Sequence, residues 1–187
     1  MSVKNDLFWL AGFTEADGSI CLHRFKRGDT GHDRIACTIV LTNCDPNLIN
    51  EIDRITRRFI GIKMYLLERR RPESKADVWA TNWQMTVTSY ADCYKFLKAT
   101  VPYMRGTKRA IGCLMMRFIE SRKMKSETCP NNQMPYSDRE RNLYVKAKSL
   151  QERGKDKKLL NRSETKDDAL YTSDDIVRTR DESARGK

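Results

Sequence analysis

Residues 10–18 read LAGFTEADG and end a helical pattern on two carboxylates and a glycine. From about Asn5 to Ala16 the apolar residues Leu7, Leu10, Ala11 and Phe13 recur at helical spacing, with Asn5 or Asp6 placed to cap the start. The C-terminal end of a helix is the negative end of its macrodipole and normally attracts Lys or Arg. Glu15 and Asp17 stand there instead, in an electrostatically unfavourable place, so something has to compensate for them. Ala11 and Gly12 add a second constraint, because their lack of bulk lets two such helices approach backbone to backbone.

Two alternating stretches follow. In SICLHRFKR, Ile20 and Leu22 share one face while Cys21, His23 and Phe25 share the other. In RIACTIVLTN, Ile35, Cys37, Ile39 and Leu41 point one way and Arg34, Ala36, Thr38 and Val40 the opposite way. The polar run GDTGHD between them makes the pair a hairpin. A helix then opens at Asp45-Pro46, with Leu48, Ile49, Ile52 and Ile55 as its apolar face. After Gly61 a second strand pair is expected, with Ile62, Met64 and Leu66 on one side and Lys63, Tyr65 and Leu67 on the other. In its partner, Trp79, Thr81, Trp83, Met85 and Val87 alternate with Ala80, Asn82, Gln84 and Thr86. Helices are predicted over roughly 90–100, 107–124 and 137–152. The order α-β-β-α-β-β-α(α) predicts an α+β fold, a curved antiparallel sheet with helices on one face. Its other face carries His23, Arg27, Arg34, Thr38, Lys63, Tyr65, Asn82 and Gln84. Such side chains read base edges from a ribbon in a DNA major groove, and an ordinary wet sheet face looks the same in sequence.

Charge favours a polyanionic partner. Lys and Arg outnumber Asp and Glu by 36 to 25, for a net +11 and an isoelectric point near 9.5. Residues 153–187 differ in kind, with 10 basic and 8 acidic residues and few large apolar ones. The chain therefore divides into a domain over 1–152 and a mixed-charge tail over 153–187, partly helical at most. No apolar run approaches a membrane span, and MSVKNDLF lacks the apolar core of a signal peptide. The six cysteines form no Cys-x-x-Cys pair and only two histidines are present, which points to buried free thiols inside a cell rather than zinc or disulfides. Composition leaves the host compartment open.

The nine residues LAGFTEADG, in this element order, resemble the signature of the LAGLIDADG homing endonuclease family over about residues 5–125. Phe13, Thr14 and Glu15 replace Leu, Ile and Asp, and the penultimate acid is kept as Asp17. The resemblance implies a sheet that forms a saddle for double-stranded DNA. It also implies metal-dependent hydrolysis of both strands of a long pseudo-palindromic site, in the service of intron mobility. Only one motif is present, so a homodimer is implied, with Leu7, Leu10, Ala11 and Gly12 at the seam. Symmetry then sets two Asp17 carboxylates together, and divalent cations relieve their repulsion.

Several residue roles follow from the resemblance. Asp17, with the Ala16 backbone carbonyl, is the implied site for Mg²⁺, for which Mn²⁺ is a plausible substitute. Asn43 either positions the attacking water or serves as a turn residue before Cys44-Asp45-Pro46. Lys108 stabilises the transition state, with Arg105 and Arg109 near enough in sequence to take its place. Glu15 points elsewhere and is read as structural. The DNA contacts are His23, Phe25, Arg27, Arg34, Thr38, Lys63, Tyr65, Arg69, Arg71, Asn82 and Gln84, of which Phe25 and Tyr65 become core if the register slips by one. The competing reading is a non-catalytic relative that uses the same saddle to bind nucleic acid, as an RNA maturase or a DNA-binding regulator.

Overall fold

In the computed structural model, which describes residues 2–26, 33–69, 82–128 and 135–159, the first helix (α1, Val3–Asp17) passes into the first strand (β1, Gly18–Lys26) without a loop. β2 (Asp33–Asn43) pairs with β1, and α2 (Pro46–Ile55) continues as a π-helical turn over Thr56–Ile60. β3 (Tyr65–Arg69) and β4 (Asn82–Val87) form the second strand pair. They are followed by α3 (Tyr90–Thr100), a 3-10 turn over Val101–Tyr103, α4 (Gly106–Thr128) and α5 (Asp138–Leu159). Met1–Lys155 forms one compact unit and Asp156–Lys187 a second, of which only the helical residues to Leu159 are described. Among the described residues no helix is long and apolar enough to cross a membrane.

The sheet is antiparallel throughout, in the order β1-β2-β4-β3. Its registers pair Ile20 with Ile39, Leu22 with Cys37 and Leu41 with Met85. These are the buried residues of one face, and α1, α2, α3 and α4 close over it. Phe96, Leu97, Met115 and Phe118 complete the core.

β4 reaches only the second half of β2, from Ile39 to Asn43. The first half would leave backbone groups unpaired beside the core, which is costly. Side chains from beyond the sheet fill that gap. Tyr136 Oη accepts the Ile35 N–H at 2.8 Å, and Tyr90 Oη donates to the Ile35 carbonyl. The Cys93 thiol approaches the Cys37 carbonyl at 3.8 Å and the Val87 carbonyl at 3.5 Å. Burial pushes the Cys93 thiol up to about 12 and holds the Cys37 thiol and Tyr90 hydroxyl above their ordinary values, so all three stay protonated at neutral pH.

Three local expectations are corrected. Neither Asn5 nor Asp6 caps α1: the helix starts at Val3 behind an extended Ser2. Asp6 turns inward, 4% exposed, to an ion pair with Arg54 at 3.1 Å. The β3 strand begins at Tyr65, and Ile62 and Met64 are buried in the irregular approach to it rather than within the ladder. Leu66, on the core side of β3, the last strand of the sheet among the described residues, is 49% exposed. The expected strand residues Trp79, Ala80 and Thr81 lie outside the described residues. α2 keeps its sequence-read cap, with Asp45 Oδ1 accepting the Asn47 N–H at 2.8 Å. Gly61, at φ +70°, ends the turn after α2 in the left-handed region where a side chain is strained.

Candidate active site and nucleic-acid face

The C-terminal end of α1 is pressed onto the sheet. Gly18 begins β1 opposite Leu41, with an ordinary extended backbone. A Cβ added there would lie 2.6 Å from the Thr14 carbonyl oxygen and 2.8 Å from Leu41 Cδ2. Glycine is therefore required for close approach rather than for its conformation. Gly18→Ala should force α1 away from β2 and cost about 1–3 kcal/mol, the usual range for overpacking, read by chemical denaturation.

This end of α1 contains no basic residue of its own in the last turn. α4 supplies one. Lys108 Nζ donates to the carbonyl oxygens of Thr14 at 3.1 Å, Glu15 at 2.5 Å and Ala16 at 3.4 Å. The ammonium thus sits at the negative end of the helix, on the Glu15 and Ala16 carbonyls and on that of Thr14, which also accepts the Gly18 N–H. Glu15 is answered differently. Its Oε1 accepts the Arg105 N–H at the entrance to α4, where the positive end of the α4 dipole favours a carboxylate. The acid that is misplaced on α1 is well placed against α4. Lys108 and the Arg105 backbone both reach the motif, while the side chains of Arg105 and Arg109 are exposed.

Asp17 remains open to solvent beside an exposed Ala16. β2 runs past the start of β1 through Thr42 and Asn43, so these two residues stand at the same end of the sheet. Asn43 Oδ1 accepts the Asp45 N–H at 2.8 Å, the bond of a turn residue. Among the described residues no three His, Cys, Asp or Glu side chains converge as a metal cage. A Mg²⁺ ion needs less: one or two carboxylates, water and phosphate oxygens suffice. An exposed Asp17 fits that kind of open site, and the Ala16 carbonyl beside it, which accepts from Lys108 Nζ at 3.4 Å, would have to be shared with the ion.

The strand registers settle which residues share the outer face. Cys21 opposes Thr38, His23 opposes Ala36 and Phe25 opposes Arg34, whose guanidinium lies 5.9 Å from the Phe25 ring centre. Thr42 opposes Gln84, Tyr65 opposes Thr86 and Arg69 opposes Asn82. His23, Phe25, Arg34, Thr38, Tyr65, Arg69, Asn82 and Gln84 therefore occupy one continuous face. The exposed Lys63 precedes β3 with the parity of Tyr65. Phe25 and Tyr65 are 38% and 57% exposed, so neither belongs to the core. Arg27 and Arg71 lie outside the described residues. Leu67 and Thr86 lie on this face too, as their alternation with Leu66 and Met85 predicts, although neither was among the expected DNA contacts; Thr86 Oγ1 is 3.0 Å from Gln84 Nε2.

α1 corrects the expected seam. Leu10 and Ala11 are fully buried in the chain's own core, because the helix turns that stripe onto the sheet. Leu7 is half-buried against the same core. The outward stripe is Phe8, 61% exposed, with Gly12 and Ala16 at successive four-residue steps. A Cβ added at Gly12 would meet no atom within 4 Å. The regular spacing of Phe8, Gly12 and Ala16 was the available sequence signal.

No protein-family model matches the sequence, and no curated protein matches it. Solved structures do. The archaeal intron-encoded homing endonuclease I-Vdi141I, solved with DNA, superposes with a TM-score of 0.58 at 14% identity over 99% of this chain and 100% of its own. I-CvuI, a homing endonuclease solved with its target in 2 mM Ca, gives 0.56 at 19% identity over 90% and 88%. The chain has the LAGLIDADG homing endonuclease fold. I-GzeII, described as a LAGLIDADG homing endonuclease in complex with its DNA target, gives 0.51 at 14% identity, and the match covers 89% of this chain but 54% of that longer one. In this LAGLIDADG fold, the signature helix is α1 and the polar sheet face lies on the side away from the helices.

Proposed function

We propose that this chain is a homodimeric, site-specific endonuclease that cuts both strands of a long pseudo-palindromic DNA site by metal-dependent hydrolysis and promotes intron mobility. The observation that carries the proposal is the exposed Asp17, held at the end of α1 beside Lys108 and at the head of the polar sheet face. A carboxylate at a helix C-terminus is an electrostatic cost to the fold, which makes sense where a cation is to be bound. Asp17 and the Ala16 carbonyl would hold Mg²⁺, or Mn²⁺ in its place. The bound ion would supply positive charge to the phosphate oxygens at cleavage. Lys108 fixes the helix end and keeps a second positive charge at the site. The sheet face supplies Arg34, Asn82 and Gln84 for base edges or phosphates, with His23, Phe25, Thr38, Lys63 and Tyr65 around them.

The dimer follows from α1. One motif supplies one Asp17, and two are brought together when the Phe8, Gly12 and Ala16 stripes meet across a two-fold axis. Gly12→Leu tests this seam. The monomer has room for the side chain and loses a helix-weakening glycine, so helicity should persist while light scattering reports a shift from dimer to monomer. An unchanged dimer would place the seam elsewhere.

The activity is tested with a duplex library whose half-sites are randomised, incubated in Mg²⁺ and then in EDTA. Double-strand breaks that need Mg²⁺ are expected. Retention of duplexes without cleavage in either condition would instead support the non-catalytic reading, an RNA maturase or DNA-binding regulator on the same fold.

A further inference from the structure

α5 is fixed at its start and again at Gln151. At its start the Ser137 N–H donates to Glu140 Oε2 at 2.7 Å and the Glu140 N–H donates to Ser137 Oγ at 3.3 Å, a reciprocal cap on the first turn. The other carboxylate oxygen of this fully buried Glu140 accepts from Ser121 Oγ of α4 at 3.3 Å. Three turns later, Gln151 Nε2 donates to the Ile20 carbonyl at 3.2 Å. Among the described residues β1 is an edge strand, and Gln151 takes a carbonyl on it that no described strand pairs. α5 thereby lies along the open edge of the sheet.

Lys148 stands one turn before Gln151 on this edge. Its charge reaches His23 of the polar face: burial first, and then the Lys148 ammonium, hold that imidazole below its ordinary value. Lys148 is half-buried, and among the described residues it forms no ion pair. Arg141 and Val145, both exposed, share its helical stripe, which ends in Asp138 and Glu152. Lys148 is the basic residue of this stripe beside His23, with Glu152 one turn further on.

We propose that Lys148, held beside β1 by α5, binds a DNA phosphate at the outer margin of the sheet face. The proposal rests on the reading of that face as a DNA surface. A sheet in a groove presents its central side chains to base edges, while the phosphates run along the groove walls. Contacts to them have to come from the sheet's margins. A lysine on a clamped helix beside the edge strand is placed for this, as a point charge that carries no sequence information.

The test measures binding of a random-sequence DNA duplex across a salt series for the wild type, Lys148→Gln and Lys98→Gln. Lys98 is exposed on α3, behind the sheet, and serves as a control for lost net charge. Lys148→Gln should lower the magnitude of the log–log salt slope by about 0.9, one phosphate's worth, and weaken low-salt binding severalfold. Lys98→Gln should leave the slope at the wild-type value. An unchanged slope in Lys148→Gln, or an equal drop in both variants, overturns the proposal while leaving the DNA reading intact. A wild type that binds no duplex overturns both. A second readout needs no DNA: the His23 imidazole, one of two in the chain, should titrate higher in Lys148→Gln by NMR. A titration that does not move would remove Lys148 from the margin.

Discussion

Asp17→Asn is expected to abolish DNA cleavage while leaving the protein folded and still able to bind. The substitution keeps the shape of the side chain and removes the charge that would hold the cation. If the cation contributes several kcal/mol to the transition state, the rate should fall by about a thousandfold or more. Stability should move the other way. Asp17 is exposed and opposes the α1 dipole, so losing its charge should leave the melting temperature unchanged or slightly raised. Binding measured in EDTA should hold or tighten, since one negative charge fewer faces the phosphates. This combination separates a metal ligand from a helix-end residue. Cleavage that persists at the wild-type rate in Asp17→Asn would assign the residue to the turn before Gly18.

Asp17 and its neighbours also show where the sequence was legible. Strand parity was readable because one face of the sheet is buried and the other is not. Ile20 and Leu22, Ile35 to Leu41, and Met85 to Val87 alternate without interruption, and a slip of one residue would have turned them all outward. The cap at Asp45-Pro46 was legible for a similar reason, since it depends only on adjacent residues. The start of α1 was not, because Asp6 reads as a cap locally and is claimed by Arg54, 48 residues away. The outward stripe of α1 meets the same limit. Ala11 and Gly12 are both small and adjacent, and only the packed helix shows that Ala11 faces the sheet and Gly12 the exterior. For the α1 carboxylates the sequence offered divalent cations at Asp17 and a structural role for Glu15. It did not show the part played from about 90 residues further on, where Lys108 reaches the helix-end carbonyls and the Arg105 N–H reaches Glu15.

Lys108→Met should therefore affect both the fold and the chemistry, and the two effects can be separated. Methionine keeps the apolar stem and removes the ammonium that accompanies the Thr14, Glu15 and Ala16 carbonyls. Hydrogen bonds to a charged group contribute about 1.5–3 kcal/mol, so denaturation should show a loss of that order. The end of α1 should fray first, which amide exchange at residues 14–18 would register as lost protection. Since Asp17 is carried on that end, cleavage should fall even at temperatures where the variant is fully folded. Lys108→Arg refines the assignment. Its planar fork keeps the charge but cannot reproduce the compact seating of an ammonium among three carbonyls. If charge at the site is what matters, Lys108→Arg should recover much of the cleavage and little of the stability. If Lys108 acts only as the cap of α1, cleavage should track the amide protection of residues 14–18 in both variants, and a fully protected yet inactive Lys108→Met would exclude that purely structural role. Combining it with Asp17→Asn closes the argument. Removing the opposing carboxylate relieves part of the charge imbalance at the helix end, so the double variant should be less unstable than Lys108→Met alone and no more active than Asp17→Asn.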